Sequence, residues 1–363
     1  MTKDVNSVAS RSGLARIALF PPDLQPCSID LSDNTNLWGA PPSAERVVHE
    51  DATRSLARYP EAYSESLKDA LSKYVGVDPA QIVIGCGSDD VLDSSIRAFG
   101  EPGERIVLPD PTFSMLPFFA RANGLEISFV TLTADYDMDV ETTLALDAKI
   151  VYICSPGNPT GNVVPRATIE AIIAGTRGLV IIDEAYFEFS GITSVDLTKQ
   201  SDRVVIVRTM SKAFGLAGLR VGYGIASPSV VTEIEKSRGP FKVSGTSERA
   251  AVAAVLHDMP WIQAKAKEAV ENRTRFVAAL TELGLNSIPS NANYVMVPLK
   301  GAEQFASAMR AHDIALKTFT NVPAAPGSTL AATNGDALRI TIGPWPIMAK
   351  VIDAMRTVLA QRA

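Results

Sequence analysis

Between residues 80 and 225, short β-branched runs alternate with stretches of helical character, and few architectures accept that pattern. The runs are Gln81 to Ile84, Arg105 to Leu108, Leu125 to Thr131, Lys149 to Cys154, Gly178 to Ile182, Arg203 to Arg208 and Val221 to Ala226. In Lys149-Ile-Val-Tyr-Ile-Cys154 and Gly178-Leu-Val-Ile-Ile182 nothing alternates between apolar and polar. A strand with one wet face shows a period of two, whereas a strand covered by helices on both faces does not. The expected fold class is therefore α/β: a doubly wound, mainly parallel central sheet with helices on both faces.

After Pro240 the pattern changes. Trp261 to Leu283 reads as one long helix, with Ile262, Ala266, Ala269, Val270, Phe276, Val277 and Leu280 at helical spacing. Beyond it the spacing predicts a strand over Tyr294 to Val297, a helix over Ala302 to Ala311, strands over Ile314 to Phe319 and Leu338 to Ile342, and a last helix from Pro346. This is an α+β unit joined to the first by the long helix. A chain of 363 residues suits two packed domains of roughly 150 residues each. The expected division is a large domain over residues 43–260 and a smaller one made of 261–363 with the N-terminal 1–42. The Pro-containing stretch Phe20 to Pro42 is too short to fold alone and is expected to pack on that smaller domain.

Charge and cysteine usage exclude several classes. The 34 basic and 40 acidic residues leave a net charge of −6, and no Lys/Arg-rich run is present, so nucleic acid has no electrostatic footprint here. The first twenty residues lack the apolar core of a signal peptide, and no run of 18 apolar residues occurs, so no membrane partner and a cytoplasmic location are expected. Cys27, Cys86 and Cys154 lack C-x-x-C spacing, and His49, His257 and His312 lie outside any motif. Reduced thiols and no metal site follow.

The chemistry gathers at the ends of three successive runs, where open α/β sheets place ligands. Lys149 to Cys154 leads into Ser-Pro-Gly-Asn158-Pro-Thr-Gly, Gly178 to Ile182 leads into Asp183-Glu-Ala-Tyr186, and Arg203 to Arg208 leads into Thr209-Met-Ser211-Lys212. A pyridoxal cofactor asks for a lysine amine for its aldehyde, a carboxylate for its ring nitrogen, donors for its phenolic oxygen and an anion site. Lys212, following an apolar strand, supplies the amine with a lowered pKa; Asp183 the carboxylate; Tyr186 and Asn158 the donors; Ser211, Thr209 and Arg220 the anion site. Singly, each has an ordinary structural explanation, such as a solvated strand end, a helix cap or a turn. Their joint occurrence in this order does not.

These segments resemble the class I and II aminotransferases of fold type I, and especially the histidinol-phosphate aminotransferase branch. The resemblance spans nearly the whole chain. Its most specific piece is Arg208-Thr-Met-Ser-Lys212-Ala-Phe-Gly-Leu-Ala-Gly-Leu-Arg220-Val-Gly-Tyr223, which matches the lysine signature of that family. Asn34-Thr-Asn36, Arg58-Tyr59-Pro60, Gly87-Ser88-Asp89-Asp90, Pro111-Thr-Phe113 and Leu338-Arg339-Ile-Thr-Ile-Gly343 support it. The resemblance implies that Ser88 and Asp89 open a helix whose amides meet the phosphate of pyridoxal 5'-phosphate, that Phe113 stacks on the ring, and that Arg339 binds the anionic group of a substrate. It also implies a homodimer in which Tyr59 reaches the partner subunit's cofactor phosphate. Asn34 and Asn36 fall in the segment that closes over substrate.

Several substrate-side positions depart from the family. Asn34-Thr35-Asn36-Leu37 stands for the usual Asn-Glu-Asn-Pro, Phe113 for a common Tyr, Ser155-Pro-Gly-Asn158-Pro for Asn-Pro-Asn-Asn-Pro, and Lys317 for a second arginine. Pro-Phe-Lys242-Val-Ser244 occupies the place of an Asn-bearing loop. The expected activity is a ping-pong transamination between an amino donor, histidinol phosphate or an aromatic amino acid, and 2-oxoglutarate. The alternatives are a decarboxylase of a phosphorylated amino acid on the same scaffold and, more distantly, a non-catalytic binding protein of this fold, which should have lost the lysine or gained a DNA-binding domain. A dinucleotide-binding reading of Gly85-Cys86-Gly87 fails on Asp90 at the third glycine position and on Asp89, which would repel a pyrophosphate.

Overall fold

The computed structural model describes Leu14, residues 27–51 and residues 57–361. In chain order the elements are β1 (Ile29–Asp30), α1 (Pro42–Asp51), α2 (Glu65–Val75), β2 (Ile82–Cys86), α3 (Ser88–Phe99), β3 (Arg105–Asp110), α4 (Met115–Ala122) and β4 (Glu126–Thr131). Then come α5 (Val140–Ala145), β5 (Ile150–Cys154), α6 (Arg166–Gly175), β6 (Leu179–Asp183), α7 (Phe187–Ser190), β7 (Val204–Thr209), β8 (Val221–Ile225), α8 (Pro228–Arg238) and α9 (Gly245–His257). The chain ends with α10 (Met259–Glu282), β9 (Tyr294–Pro298), α11 (Ala302–Arg310), β10 (Ile314–Ala315), β11 (Lys317–Phe319), β12 (Ala337–Thr341) and α12 (Trp345–Ala360).

The large sheet has seven strands in the order β2-β8-β7-β6-β5-β3-β4. Neighbours from β7 to β4 run parallel, while β8 is antiparallel to both β7 and β2. The mainly parallel α/β sheet read from the sequence is thus observed. Every residue of β5, β6 and β7 is buried, which is why those runs show no alternation. One face packs a core with Val151, Ile153, Val180, Ile182, Ile206 and Tyr223; the other packs Tyr152, Cys154, Leu179, Ile181, Val205 and Val207 against residues such as Leu92, Ile96 and Leu116.

A second core gathers Val295, Val297, Phe305, Leu338, Ile340, Met348 and Val358. Helix α10 serves both: Ile262, Ala266 and Ala269 join the first core, Phe276 and Leu280 the second. The N-terminal segment reaches the second core through Leu31 and through β1, which pairs in parallel with β10. Its earlier part, residues 20–26, lies outside the described residues.

One strand expectation needs correction. Ile314 to Phe319 is two strands, since β10 pairs with β1 whereas β11 pairs antiparallel with β12 in a three-stranded sheet ordered β11-β12-β9. The buried Leu316 between them marks the change of partner. A run of sequence does not disclose which of two distant strands claims each half.

Candidate active site

The site lies at the C-terminal ends of β5, β6 and β7. Lys212 stands on the loop after β7, ahead of the 3-10 turn Ala217–Leu219. Its Nζ donates to the Asp33 carbonyl at 2.9 Å. Burial, then the nearby Arg339 and Arg220 guanidiniums, pull its pKa down to about 8 against the opposing carboxylates of Asp33 and Asp89. A lysine so placed keeps a usable fraction of free amine near neutrality.

Asp183 ends β6, in register with Cys154 of β5. Its Oδ2 accepts from the Tyr152 hydroxyl at 2.8 Å and its Oδ1 from the Ala185 amide at 3.0 Å. Burial raises its pKa to about 6 despite those donors. Both are neutral, so the carboxylate is stabilised but not neutralised, and a cation brought to it would be bound strongly.

Tyr186, also buried, receives the side-chain amide of Asn34 at 2.9 Å and packs edge-on to Tyr294 with centroids 5.1 Å apart. Burial pushes its phenol pKa up, so it stays protonated and able to donate. Arg339, in β12, donates to Asn158 Oδ1 at 2.6 Å and to the Ser32 carbonyl, while its Nε has no partner. Its guanidinium lies 5.4 Å from the Tyr294 ring centroid and 5.8 Å from that of Phe319. Lys317 is the cross-strand partner of Arg339, so the two cations share a face of the β11–β12 pair.

Residues 32, 33 and 34 therefore touch Arg339, Lys212 and Tyr186 in turn. Asn34 adopts φ 55° and also accepts the Asn293 amide at its own carbonyl. Asn36 donates to the Ala213 carbonyl and accepts from the Trp38 amide, both at 2.9 Å. These contacts hold the N-terminal segment against the loop that carries Lys212.

The anion side is built at the start of α3. Gly87 precedes it without any side-chain cap, leaving the amides of the first turn open. Arg220, at φ 53°, pairs with Asp89 at 3.3 Å, and its Nη2 lies 2.6 Å from where a Cβ on Gly87 would stand. A Cβ on Gly222 would overlap Ser88 N and Gly87 C, so β8 meets the helix start backbone to backbone. The Ser211 hydroxyl accepts from Thr209 Oγ1 at 2.9 Å, and that oxygen in turn accepts from the Ser211 amide, which fixes the turn. Phe113 packs, half-buried, against the core face that holds Tyr152 and Cys154.

Tyr59 is not brought into this cluster. It is 84 % exposed and stacks on Phe241 at 5.0 Å. Sequence reasoning missed Tyr152, the carbonyls of Ser32 and Asp33, and a buried ion pair between Glu184 and Arg208. Tyr152 did leave a signal: a phenol in an otherwise apolar strand needs a buried partner.

Fold and site together define a cofactor-dependent transferase. The chain belongs to the aminotransferase class I and II family, whose model matches residues 27–354. Among curated proteins it is 32% identical over 306 residues to a histidinol-phosphate aminotransferase of a Thermoanaerobacter species, covering 83% of this chain and 84% of that one. It is 30% identical over 355 residues to the histidinol-phosphate aminotransferase of Citrifermentans bemidjiense, covering 96% and 98%. Among solved structures, the histidinol-phosphate aminotransferase of Sinorhizobium meliloti in complex with pyridoxal-5'-phosphate superposes with a TM-score of 0.85 at 25% identity, over 99% and 100% of the two chains.

The protein is thus a pyridoxal-phosphate-dependent aminotransferase acting on small molecules. Its residues fit the cofactor: a depressed lysine, a buried carboxylate with only neutral donors, and an uncapped helix start cradled by Gly222 and faced by Arg220 match its aldehyde, ring nitrogen and phosphate. Among the described residues no helix is long and apolar enough to cross a membrane.

Proposed function

We propose that this aminotransferase takes its amino group from histidinol phosphate or an aromatic amino acid and passes it to 2-oxoglutarate by a ping-pong route. The observation that carries the reading is the pairing of Arg339 with Lys317 across β11 and β12. Like charges directly opposed on one sheet face repel, and an arriving anion relieves that cost. Arg339 then anchors the carboxylate of an amino or oxo acid, and Lys317 extends the anchor to a phosphate or a second carboxylate. The names of the curated relatives support the phosphorylated donor.

When bound, pyridoxal phosphate supplies an electron sink for the bonds at the substrate's α-carbon. Lys212 Nζ would carry the cofactor and, once the substrate amine has displaced it, would move the proton from that carbon as a free amine favoured by its lowered pKa. Asp183 keeps the ring nitrogen protonated, Tyr186 and Asn158 hold the phenolic oxygen, and Phe113 covers the ring. The amides of Ser88 and Asp89, with Thr209, Ser211 and Arg220, hold the phosphate. Asn34 and Asn36 keep the N-terminal segment closed over the substrate side. The active unit is a cytoplasmic homodimer in which Tyr59 of one subunit completes the phosphate site of the other. Within each subunit, the proposed division is residues 43–260 as the cofactor domain and residues 261–363 with 1–42 as the smaller one; residues 1–13, 15–26, 52–56, 362 and 363 lie outside the described residues.

The test is an absorbance spectrum of the purified protein before and after histidinol phosphate, phenylalanine or glutamate is added singly. The expected result is a visible band of lysine-bound cofactor that gives way to the pyridoxamine band with the true donor. Carbon dioxide release without pyridoxamine would establish the decarboxylase instead. A Lys212→Ala variant with near-normal turnover would overturn the assignment of that lysine.

A further inference from the structure

Tyr152 interrupts an otherwise apolar strand, Ile150 to Cys154, and is fully buried. Side chains two apart on a strand share a face, so its ring lies on the same side of the sheet as Cys154 and its in-register neighbour Asp183. The phenol runs along that face and ends 2.8 Å from Asp183 Oδ2. The other carboxylate oxygen is held by the Ala185 amide at 3.0 Å. Each oxygen of Asp183 therefore has one donor, one from the backbone and one from Tyr152. Removing the backbone donor would require a different chain path. Tyr152 is the donor that a single substitution can delete while a phenylalanine ring keeps the packing.

Burial works against Asp183 in its charged form, which is the form that holds a protonated ring nitrogen. The Tyr152 hydrogen bond opposes that effect, because a phenol donates more strongly to the charged carboxylate than to the neutral acid, and only to an oxygen turned toward it. We propose that Tyr152 is a positioning residue for transamination, favouring the charged form and fixing the rotation of the Asp183 carboxylate that would pair with the ring nitrogen of the cofactor. This rests on the aminotransferase reading above and on Asp183 facing the ring nitrogen. The competing account is a core tyrosine that has merely found the nearest acceptor, which would affect folding alone.

The experiment compares wild type, Tyr152→Phe, Asp183→Asn and the double variant. It measures the dissociation constant of pyridoxal phosphate across pH, together with kcat and donor KM. Loss of a hydrogen bond to a charged group predicts cofactor affinity weakened by about tenfold or more in Tyr152→Phe. Its low-pH limb should move to higher pH, with kcat reduced and donor KM little changed. In the Asp183→Asn background the same substitution should change affinity by less than about twofold, because the two act as one unit. Placing 3-fluorotyrosine at position 152, a stronger donor of nearly the same shape, should move the limb to lower pH and does not depend on the phenylalanine variant folding. An unmoved limb in both replacements, or an equal loss in the Asp183→Asn background, overturns the proposal while leaving the aminotransferase intact. A wild type that fails to bind pyridoxal phosphate would overturn the parent reading and this one with it.

Discussion

The Arg208 guanidinium donates through both Nε, at 3.0 Å, and Nη2, at 2.8 Å, to the single atom Oε2 of Glu184, with the two side chains 3 % and 2 % exposed. Thr193 Oγ1 accepts from Arg208 at 2.7 Å, the Ser194 amide donates to Glu184 at 2.6 Å, and the Phe187 ring lies 3.6 Å from the guanidinium. Glu184 follows Asp183, and Arg208 lies on the strand that leads to Lys212. The pair thus ties together the ends of β6 and β7 on the sheet face opposite Asp183.

Breaking this pair leaves a buried charge without its partner. Glu184→Gln or Arg208→Met is expected to lower stability by about 3–5 kcal/mol. Chemical denaturation of the holoenzyme reads the loss. The two substitutions together should cost less than their sum, because the second removes the charge that the first orphaned. Strict additivity would show that the two side chains do not depend on each other.

Asp183 is expected to cost the cofactor-free protein stability. Its folded pKa of about 6 lies above the unfolded carboxylate, so between about pH 4 and 6 the folded state binds a proton that the unfolded state has released. Stability contributed by this group is complete below that window and falls as pH rises through it, by up to about 3 kcal/mol. Asp183→Asn should therefore stabilise the apoenzyme at pH 8 by roughly 1–3 kcal/mol, while weakening the stabilisation gained on adding pyridoxal phosphate. Urea denaturation at several pH values, with and without cofactor, measures both. An apoenzyme left unchanged or weakened by the substitution would contradict this account of Asp183.

Much of this arrangement was legible in the residues. The unalternating runs Lys149 to Cys154 and Gly178 to Ile182 became central strands because burial on both faces leaves a direct imprint on composition. The placement of Asp183 and Lys212 at the ends of β6 and β7 was legible because each follows closely on an apolar run. The carbonyls of Ser32 and Asp33 were not, since a backbone acceptor has the same form in every residue. Nor was the reversal of β8, because a fully buried strand reads alike in either direction. Tyr152 and Arg208 act through partners on neighbouring strands, and strand order is a tertiary fact that no local pattern encodes.

Gly222 is where β8 crosses the start of α3. An added Cβ would overlap Ser88 N and Gly87 C, and backbone cannot turn aside as a flexible side chain can. Gly222→Ala is therefore expected to destabilise the protein by about 1–3 kcal/mol, the usual cost of overpacking. It should also weaken inorganic phosphate as a competitor of cofactor binding, because the amides of the first turn are pushed from the anion site. Thermal denaturation and competition titration separate the two effects. A variant as stable as wild type with unaltered competition would mean that the helix start shifts without consequence.

Tyr59, 84 % exposed and resting on Phe241, has its proposed task in the other subunit of a dimer. Subunit exchange tests this without a structure of the assembly. Lys212→Ala subunits lack the reactive amine and Tyr59→Ala subunits lack the donor, so each homodimer should be impaired. In a mixed dimer one site combines the intact Lys212 of one chain with the intact Tyr59 of its partner, and the other site lacks both. Random exchange at equal concentration makes half the dimers mixed, so activity should recover to about a quarter of wild type, on the symmetry of a two-fold dimer. Recovery requires that the tyrosine cross the interface. If Tyr59 served its own chain's site, mixing would restore nothing beyond the activity of the separate homodimers.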